Sequence, residues 1–522
     1  MTPKPIDANR WRLILYFFVV AWLLPALACN YPGLKNKKQT IKSTSTPAAN
    51  YTTSSPNITP SIKPMPFQTP AESPTSTSIS PGAAPTAGIG SSNFNYTAQS
   101  GDTLAAVARH FKVEPAQITS PNPIFQTGYL TPGQPLSIPV NLENVPNTPM
   151  IFPDSEVIFS PTASDFDIAG FIASQGGFLS TYAEPVYGQN MSSAEIIHRV
   201  AQESSINPRL LLAFLEFRSG WVSGQLRSPE DLQSPLGFNV PGYPGLYQEL
   251  VMATTHLNIG YYGWRTGQFD SFRYTDGQTG PVNPWLNSGS VALQNLFAKF
   301  YKPQAWLDAL YGNNNFLDLY REYFGDPWSR AASVELMFLP GMTQPSLELP
   351  FAPGERWSLT GGPHAAWNST NPRGALDFAP VTGEPVCSTS RAWVTASGNG
   401  VIVRSENSVV ALDLDGDGNE QTGWVVVYLH LAATGRAPAG QQVVTGDPIG
   451  HPSCERGQST GTHVHIARKY DGEWLEADGP LPFILSGWQA RAGKLNYQGS
   501  LSKGDRVVIA SPLGPGTSII VR

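Results

Sequence analysis

Two histidines two residues apart, His463 and His465, stand in Ser459-Thr460-Gly461-Thr462-His463-Val464-His465-Ile466. Val464 and Ile466 alternate with them, a strand period that puts both imidazoles on one face. Imidazoles so placed can hold a metal ion or act on what it binds. Two polar residues on a solvent-facing edge would share the spacing. Of 8 histidines, His364, His430, His451, His463 and His465 fall in the last third of the chain. His430 ends the β-branched and aromatic run Trp424-Val425-Val426-Val427-Tyr428-Leu429, which reads as a strand. His364 follows the turn-rich Thr360-Gly361-Gly362-Pro363, and Asp377 lies further on in Gly374-Ala375-Leu376-Asp377-Phe378-Ala379-Pro380. Two imidazoles and a carboxylate with an open fourth position make a catalytic zinc set, whereas a structural site is closed, often by thiolates.

These segments resemble the lysostaphin-like zinc endopeptidases that cut peptidoglycan peptides, over roughly residues 345–490. The shared marks are an early His and Asp, a Tyr-x-His strand and a late Thr-Gly-x-His-x-His. Most members space the first pair His-x-x-x-Asp, but the residue four before Asp377 is Arg373, which cannot bind zinc. The β-lytic metalloendopeptidase branch has a longer Gly-Gly-x-His…Asp spacing, which Gly361-Gly362-Pro363-His364 and Asp377 resemble. The resemblance implies His364, Asp377 and His465 as zinc ligands and His430 and His463 as non-ligand catalytic histidines. Zinc brings the pKa of a water toward neutrality, and the two free imidazoles can take and return a proton. A degenerate member that kept the fold and lost the metal is the alternative.

The elements that must position these residues are spread over 522 residues, a length expected to hold two to four domains. Charged residues are 14 % and the net charge is −6, so nothing suggests nucleic-acid binding. Gly 49 and Pro 48 fit β-rich domains with long linkers. Residues 1–29 read as an export signal: Lys4, Arg10 and Arg12 precede the apolar run Leu13–Leu24, with Ala26 and Ala28 after it. Cys29 follows in a stretch resembling a lipoprotein box, imperfect at Ala26, so a lipid on Cys29 and a membrane anchor are expected. Of the 3 cysteines that leaves Cys387 and Cys454, which in an exported protein are expected to pair. Residues 30–92 form a Ser/Thr/Pro-rich linker that cannot bury a core and at about 3 Å per residue can reach well over ~100 Å.

Residues 93–141 resemble a LysM module on Tyr96–Leu104, Val107-Ala108-Arg109-His110-Phe111 and Leu130–Pro139. A strand, a helix capped by Asp102 or Thr103, a second helix near Pro115 and a returning strand over Leu136–Val140 are expected. The resemblance implies binding of N-acetylglucosamine-containing glycan through Ser100–Leu104 and Asn122–Gln126, with His110 on the helix surface. Residues 142–160 read as a second linker. Residues 161–344 read as helical: Ser192-Ser193-Ala194-Glu195 starts one helix, Asn207-Pro208 the next, and two more lie near Tyr247–Thr255 and Ser290–Phe300. Pro208–Gly220 faintly resembles the buried catalytic-Glu helix of lysozyme-like lytic transglycosylases. Arg218 stands where that Glu would be, and Glu216 points to another face, so catalysis there is not expected. His198 and His256 read as ordinary helix residues. Residues 345–522 form the mainly antiparallel β zinc-peptidase domain with a C-terminal extension. Within it, Asp413, Asp415 and Asp417 resemble half a calcium loop, though a polar hairpin turn explains them equally.

The expected molecule is a multidomain, exported, lipid-anchored zinc endopeptidase of the cell envelope. It holds glycan through LysM and peptidoglycan peptide through the C-terminal domain. A non-catalytic wall-binding lipoprotein that regulates other wall hydrolases is the second reading.

Overall fold

The computed structural model describes residues 93–139, 148–367, 372–457 and 459–522, all within one compact unit. The export signal, Cys29 and the Ser/Thr/Pro stretch lie outside the described residues. Among the described residues no helix is long and apolar enough to cross a membrane.

The first module pairs β1 (Phe94–Thr97) antiparallel with β2 (Pro135–Ile138) beside α1 (Leu104–Phe111). Thr103 caps α1 by accepting from the Ala106 amide, and Leu104, Val107, Ala108 and Phe111 form its buried stripe. The expected second helix is only a 3-10 turn, Pro115–Gln117. Too few residues separate it from the Pro- and Gly-rich Pro121–Gly133 for a helix to propagate.

The reading of residues 142–160 as a linker is corrected from Thr148 onward. Ile151, Phe152, Val157, Ile158 and Phe159 are buried, and α2 (Asp154–Val157) lies within the stretch. Its prolines mark a turn of core chain; the apolar residues between them outweigh the Pro content. Helices α3 (Ile168–Gln175), α4 (Ser193–Ser204), α5 (Pro208–Ser219), α6 (Leu246–Arg265), α7 (Ser288–Ala298), α8 (Pro303–Tyr311), α9 (Phe316–Phe324) and α10 (Pro327–Ala331) follow, with hairpins β3–β4 (Ala183–Val186, Gln189–Ser192) and β5–β6 (Ser271–Arg273, Thr279–Pro281). Ser192 and Glu195 form a capping box at α4, and Asn207 caps α5 with Pro208 in its first turn.

Glu216 accepts from the Val222 and Ser223 amides, so its carboxylate holds the loop after α5. Arg218 donates to the Leu236 carbonyl and the Tyr301 hydroxyl. Both residues serve packing.

The C-terminal sheet contains β7 (Arg356–His364), β8 (Ala375–Pro380), β10 (Gly400–Glu406), β11 (Val409–Asp413), β12 (Trp424–Leu429), β13 (Gln442–Val443), β15 (Val464–Tyr470) and β21 (Ile519–Val521), in the order β13-β10-β11-β12-β15-β8-β7-β21, with β16 (Glu473–Trp474) on β15. Two short strands, β9 (Val394–Thr395) and β14 (Pro448–Gly450), pair beside it. A second sheet runs β17 (Ile484–Leu485), β18 (Trp488–Ala492), β19 (Gly499–Lys503) and β20 (Arg506–Ile509). The extension therefore does two things. Its last strand closes an edge of the main sheet, and the rest builds a small sheet of its own.

One face of the main sheet packs Leu359, Phe378, Val426, Tyr428, Val464 and Ile466 into the peptidase core. The other face, with Val409, Ala411, Val425, Val427 and Ala467, joins the core of the helical region. Both faces are covered, which is why β12 is apolar almost without interruption.

Candidate metal centre

Three neighbouring strands carry the site. His364 ends β7, Asp377 is central in β8, and β15 sets His465 directly opposite Asp377. His463 precedes β15 by one residue and His430 follows β12 by one. His430 adopts a left-handed backbone, φ 68°, which turns the chain out of the strand at that point. The Gly-Gly pair before His364 has a steric role. A Cβ on Gly361 would crowd the Asp377 carboxylate, and one on Gly362 would meet the Gln498 backbone.

Each imidazole has one nitrogen against a backbone carbonyl, which can only accept. His364 Nδ1 donates to Gly362 (2.8 Å), His465 Nε2 to Ala366 (3.2 Å), His430 Nδ1 to Glu455 (3.0 Å) and His463 Nδ1 to Gly461 (2.7 Å). The opposite nitrogen of each neutral ring is then a lone pair. His364 Nε2 and His465 Nδ1 are 3.1 Å apart and lie 3.3 and 3.2 Å from Asp377 Oδ1. That oxygen is buried and receives no hydrogen bond from the described residues. Three acceptors meeting with no donor among the described residues could hold a cation. Their spacing matches the ~3.3 Å edge of a tetrahedron with zinc–ligand bonds of about 2.0–2.1 Å. The residues present fit zinc.

Burial opposes charge on Asp377, but His364 and His463, where they carry a proton, outweigh it and hold the carboxyl well below the usual carboxylate range. Burial lowers the His465 pKa, and burial together with the facing His463 and His465 lowers that of His430 to about 3. Both rings are neutral at pH 7. His463 Nε2 stands 3.8 Å from Asp377 Oδ1, and the His430 and His463 ring centroids are 4.5 Å apart. All five expected site residues therefore come together. His451 does not; its Nδ1 donates to the Ala392 carbonyl and its ring packs on Trp393.

Arg373 donates to the Pro363, Gly493 and Leu495 carbonyls, tying the His364 turn to the extension. Cys387 and Cys454 form a disulfide, and Glu455, whose carbonyl orients His430, is the next residue. Tyr497, which the sequence did not point to, stacks on His364 with centroids 4.2 Å apart. It lies in a Gly- and Lys-containing turn of the extension with no motif around it.

The calcium reading gains no support. Asp413, Asp415 and Asp417 lie close together, but Asp413 already accepts from the amides of Asp415, Gly416 and Gly418. Asp415 and Asp417 accept from the Asp417 and Asn419 amides, the pattern of a self-bonded turn.

With this geometry in hand, residues 371–477 match the family model of Peptidase family M23, residues 96–139 that of the LysM domain, and residues 150–337 that of LasA, N-terminal domain. The chain carries an M23 peptidase domain and a LysM domain. It is similar to Protease LasA of Pseudomonas aeruginosa, 24% identical over 378 residues that cover 68% of this chain and 81% of the relative. It is also similar to Beta-lytic metalloendopeptidase of Achromobacter lyticus, 28% identical over 165 residues (30% of this chain, 41% of the relative), and of Lysobacter enzymogenes, 29% over 164 residues (30% and 85%). Among solved structures, the M23 metalloprotease pseudoalterin from the deep sea is 23% identical, with a TM-score of 0.29 over 34% of this chain and 99% of that one. M23 metallopeptidases are zinc-dependent, and the His364–Asp377–His465 group of this M23 domain could hold such an ion. The helical region matches the LasA N-terminal domain; the lysozyme-like resemblance gains no support.

Proposed function

We propose that the chain is an exported zinc endopeptidase that hydrolyses peptide bonds of peptidoglycan, held on the wall by LysM binding to N-acetylglucosamine-containing glycan. His364, Asp377 and His465 hold the metal. A zinc ion bound there supplies Lewis acidity, which makes a water acidic near neutral pH and polarises a peptide carbonyl. His430 and His463, each with Nδ1–H committed to a carbonyl, offer Nε2 as the proton acceptor. The same Nε2 returns the proton to the departing amine. Protonated at Nε2, either ring can donate to the oxyanion. The signal segment supports export, and Cys29 supplies the anchor.

The observation that carries this reading is the meeting of three acceptors on a buried, donor-free Asp377 oxygen. Its test is the zinc content of the full chain beside its peptidoglycan hydrolysis. We expect one zinc in the wild type, lost in His364→Ala and Asp377→Ala. His430→Ala and His463→Ala should keep zinc and lose about 10²–10⁴-fold in rate. A wild type without zinc would sink the enzyme reading and leave the wall-binding lipoprotein.

A further inference from the structure

The first LysM loop, Ser100–Leu104, is docked on the helical region, while Asn122–Gln126 stays largely exposed. Arg265, at the end of α6, donates to the Ser100 carbonyl, and Arg109 of α1 donates to the Thr266 carbonyl. His110 is corrected from a surface residue: its Nε2 donates to the Trp264 carbonyl, and its ring stacks on Trp264 with centroids 3.6 Å apart. Gly267 (φ 66°) permits this approach, because a Cβ there would press on Arg109 and Ala106.

A cavity of about 420 Å³ lies between the docked parts. Its walls include Thr103, Arg109 and Gln126 of the LysM domain, Gln268 after α6, and Arg373 and Glu476 of the M23 domain. Small-ligand sites span about 300–1,000 Å³. None of the site histidines lines this cavity. Its wall mixes several hydroxyls, two side-chain amides, and three guanidiniums balanced by three carboxyls. A neutral sugar carrying hydroxyls and an amide needs such mixed donors and acceptors, without a net charge to match. The Glu476 carboxyl accepts no hydrogen bond from the described residues. Burial pushes its pKa up to about 7, so near neutrality it can donate as well as accept.

We propose that this cavity is a composite site for an N-acetylated saccharide, in which Glu476 and Arg373 of the M23 domain complete the surface that the LysM loops begin. The proposal rests on the peptidoglycan reading above and joins its two halves. Arg373 is four residues before Asp377, so the cavity wall and the metal cluster are at most about 14 Å apart along that strand. A peptide of about four extended residues attached to the bound sugar spans this distance. The enzyme would then prefer peptide carried on glycan over free peptide.

The test is calorimetric binding of N-acetylglucosamine oligomers to the full chain, wild type against Glu476→Ala, Gln268→Ala and Gln126→Ala, with melting temperatures to verify folding. Each substitution should weaken binding about fivefold, the loss of roughly one hydrogen bond. Weakening by Gln126→Ala alone would place the sugar on LysM and overturn the composite site, as would a wild type that binds no oligomer. Wild-type hydrolysis of a glycan-free peptide separates this result from the parent reading. Hydrolysis without oligomer binding refutes the cavity and keeps the peptidase. Binding weakened in Glu476→Ala, with no wild-type hydrolysis of either the glycan-free peptide or peptidoglycan, keeps the cavity and sinks the peptidase.

Discussion

Glu420 shows how much one buried carboxylate can carry. It lies at the end of the Asp413–Glu420 turn and takes Arg404 in a two-point bond, 2.7 and 2.8 Å, and Lys469 at 2.9 Å. Burial would raise its pKa, but Arg404 and Lys469 outweigh burial and bring it from 4.5 down to about 2. Unfolded, the group protonates first as pH falls. Its stabilisation is therefore complete above about pH 5 and is lost between there and pH 2, an effect of about 3 kcal/mol. Denaturant unfolding between pH 6 and pH 2.5 should show a shallower acid loss in Glu420→Gln than in the wild type. Equal slopes would show that the charge is not what the fold relies on. Its partners are 16 residues before it and 49 after it, so no local pattern in the sequence marks Glu420.

At the scale of elements, the end of α6 is the junction. Arg265 bonds Glu473 of β16 through two nitrogens (3.0 Å each), pairs with Asp154 of α2 at 3.2 Å, and donates to the Ser100 carbonyl before α1. Removing one partner of a buried ion pair strands the others and costs about 3–5 kcal/mol. Arg265→Ala should lower the melting temperature of the full chain accordingly. Gly101→Ala should do so too, because φ is 86° there and a Cβ would strike the Arg265 guanidinium. A melting temperature unchanged in both would show that the LysM contact is marginal. The caps of α4 and α5 were legible from Ser192 and Asn207, since capping is settled within four residues. The single-turn Pro115–Gln117 was not, because Pro at a first helical position signals a start and says nothing about length.

Over the whole molecule, one apolar core runs from Leu104 and Leu130 of LysM through Leu211 and Leu257 of the helical region to Val425 and Val427 of the M23 sheet. Apolar area buried between parts is lost when either part unfolds, which couples their unfolding. Calorimetry of the full chain should give one main transition. Leu257→Ala, at a position 1% exposed, should shift the whole transition by an amount equivalent to about 2–5 kcal/mol. Two separated transitions, with only the first moved, would refute the shared core. The continuous apolar run of β12 is compatible with a sheet covered on both faces. It could not say by what.

The sequence by itself determined the candidate residues, partly through spacing and partly through their resemblance to the zinc endopeptidases. The period-two spacing of His463 and His465, the Gly361-Gly362 before His364 and the Asp377 strand are local patterns, and strand geometry converts them directly into facing side chains. Only the tertiary structure decided what surrounds them. It tied Thr148–Ser160 into the core, laid the helical region over the M23 sheet, turned the LysM loops toward a cavity, and brought Tyr497 onto His364. These outcomes depend on pairs of residues tens to hundreds of positions apart. Such contacts are chosen by shape, burial and charge balance in the finished packing, and they leave no repeat or spacing in the chain.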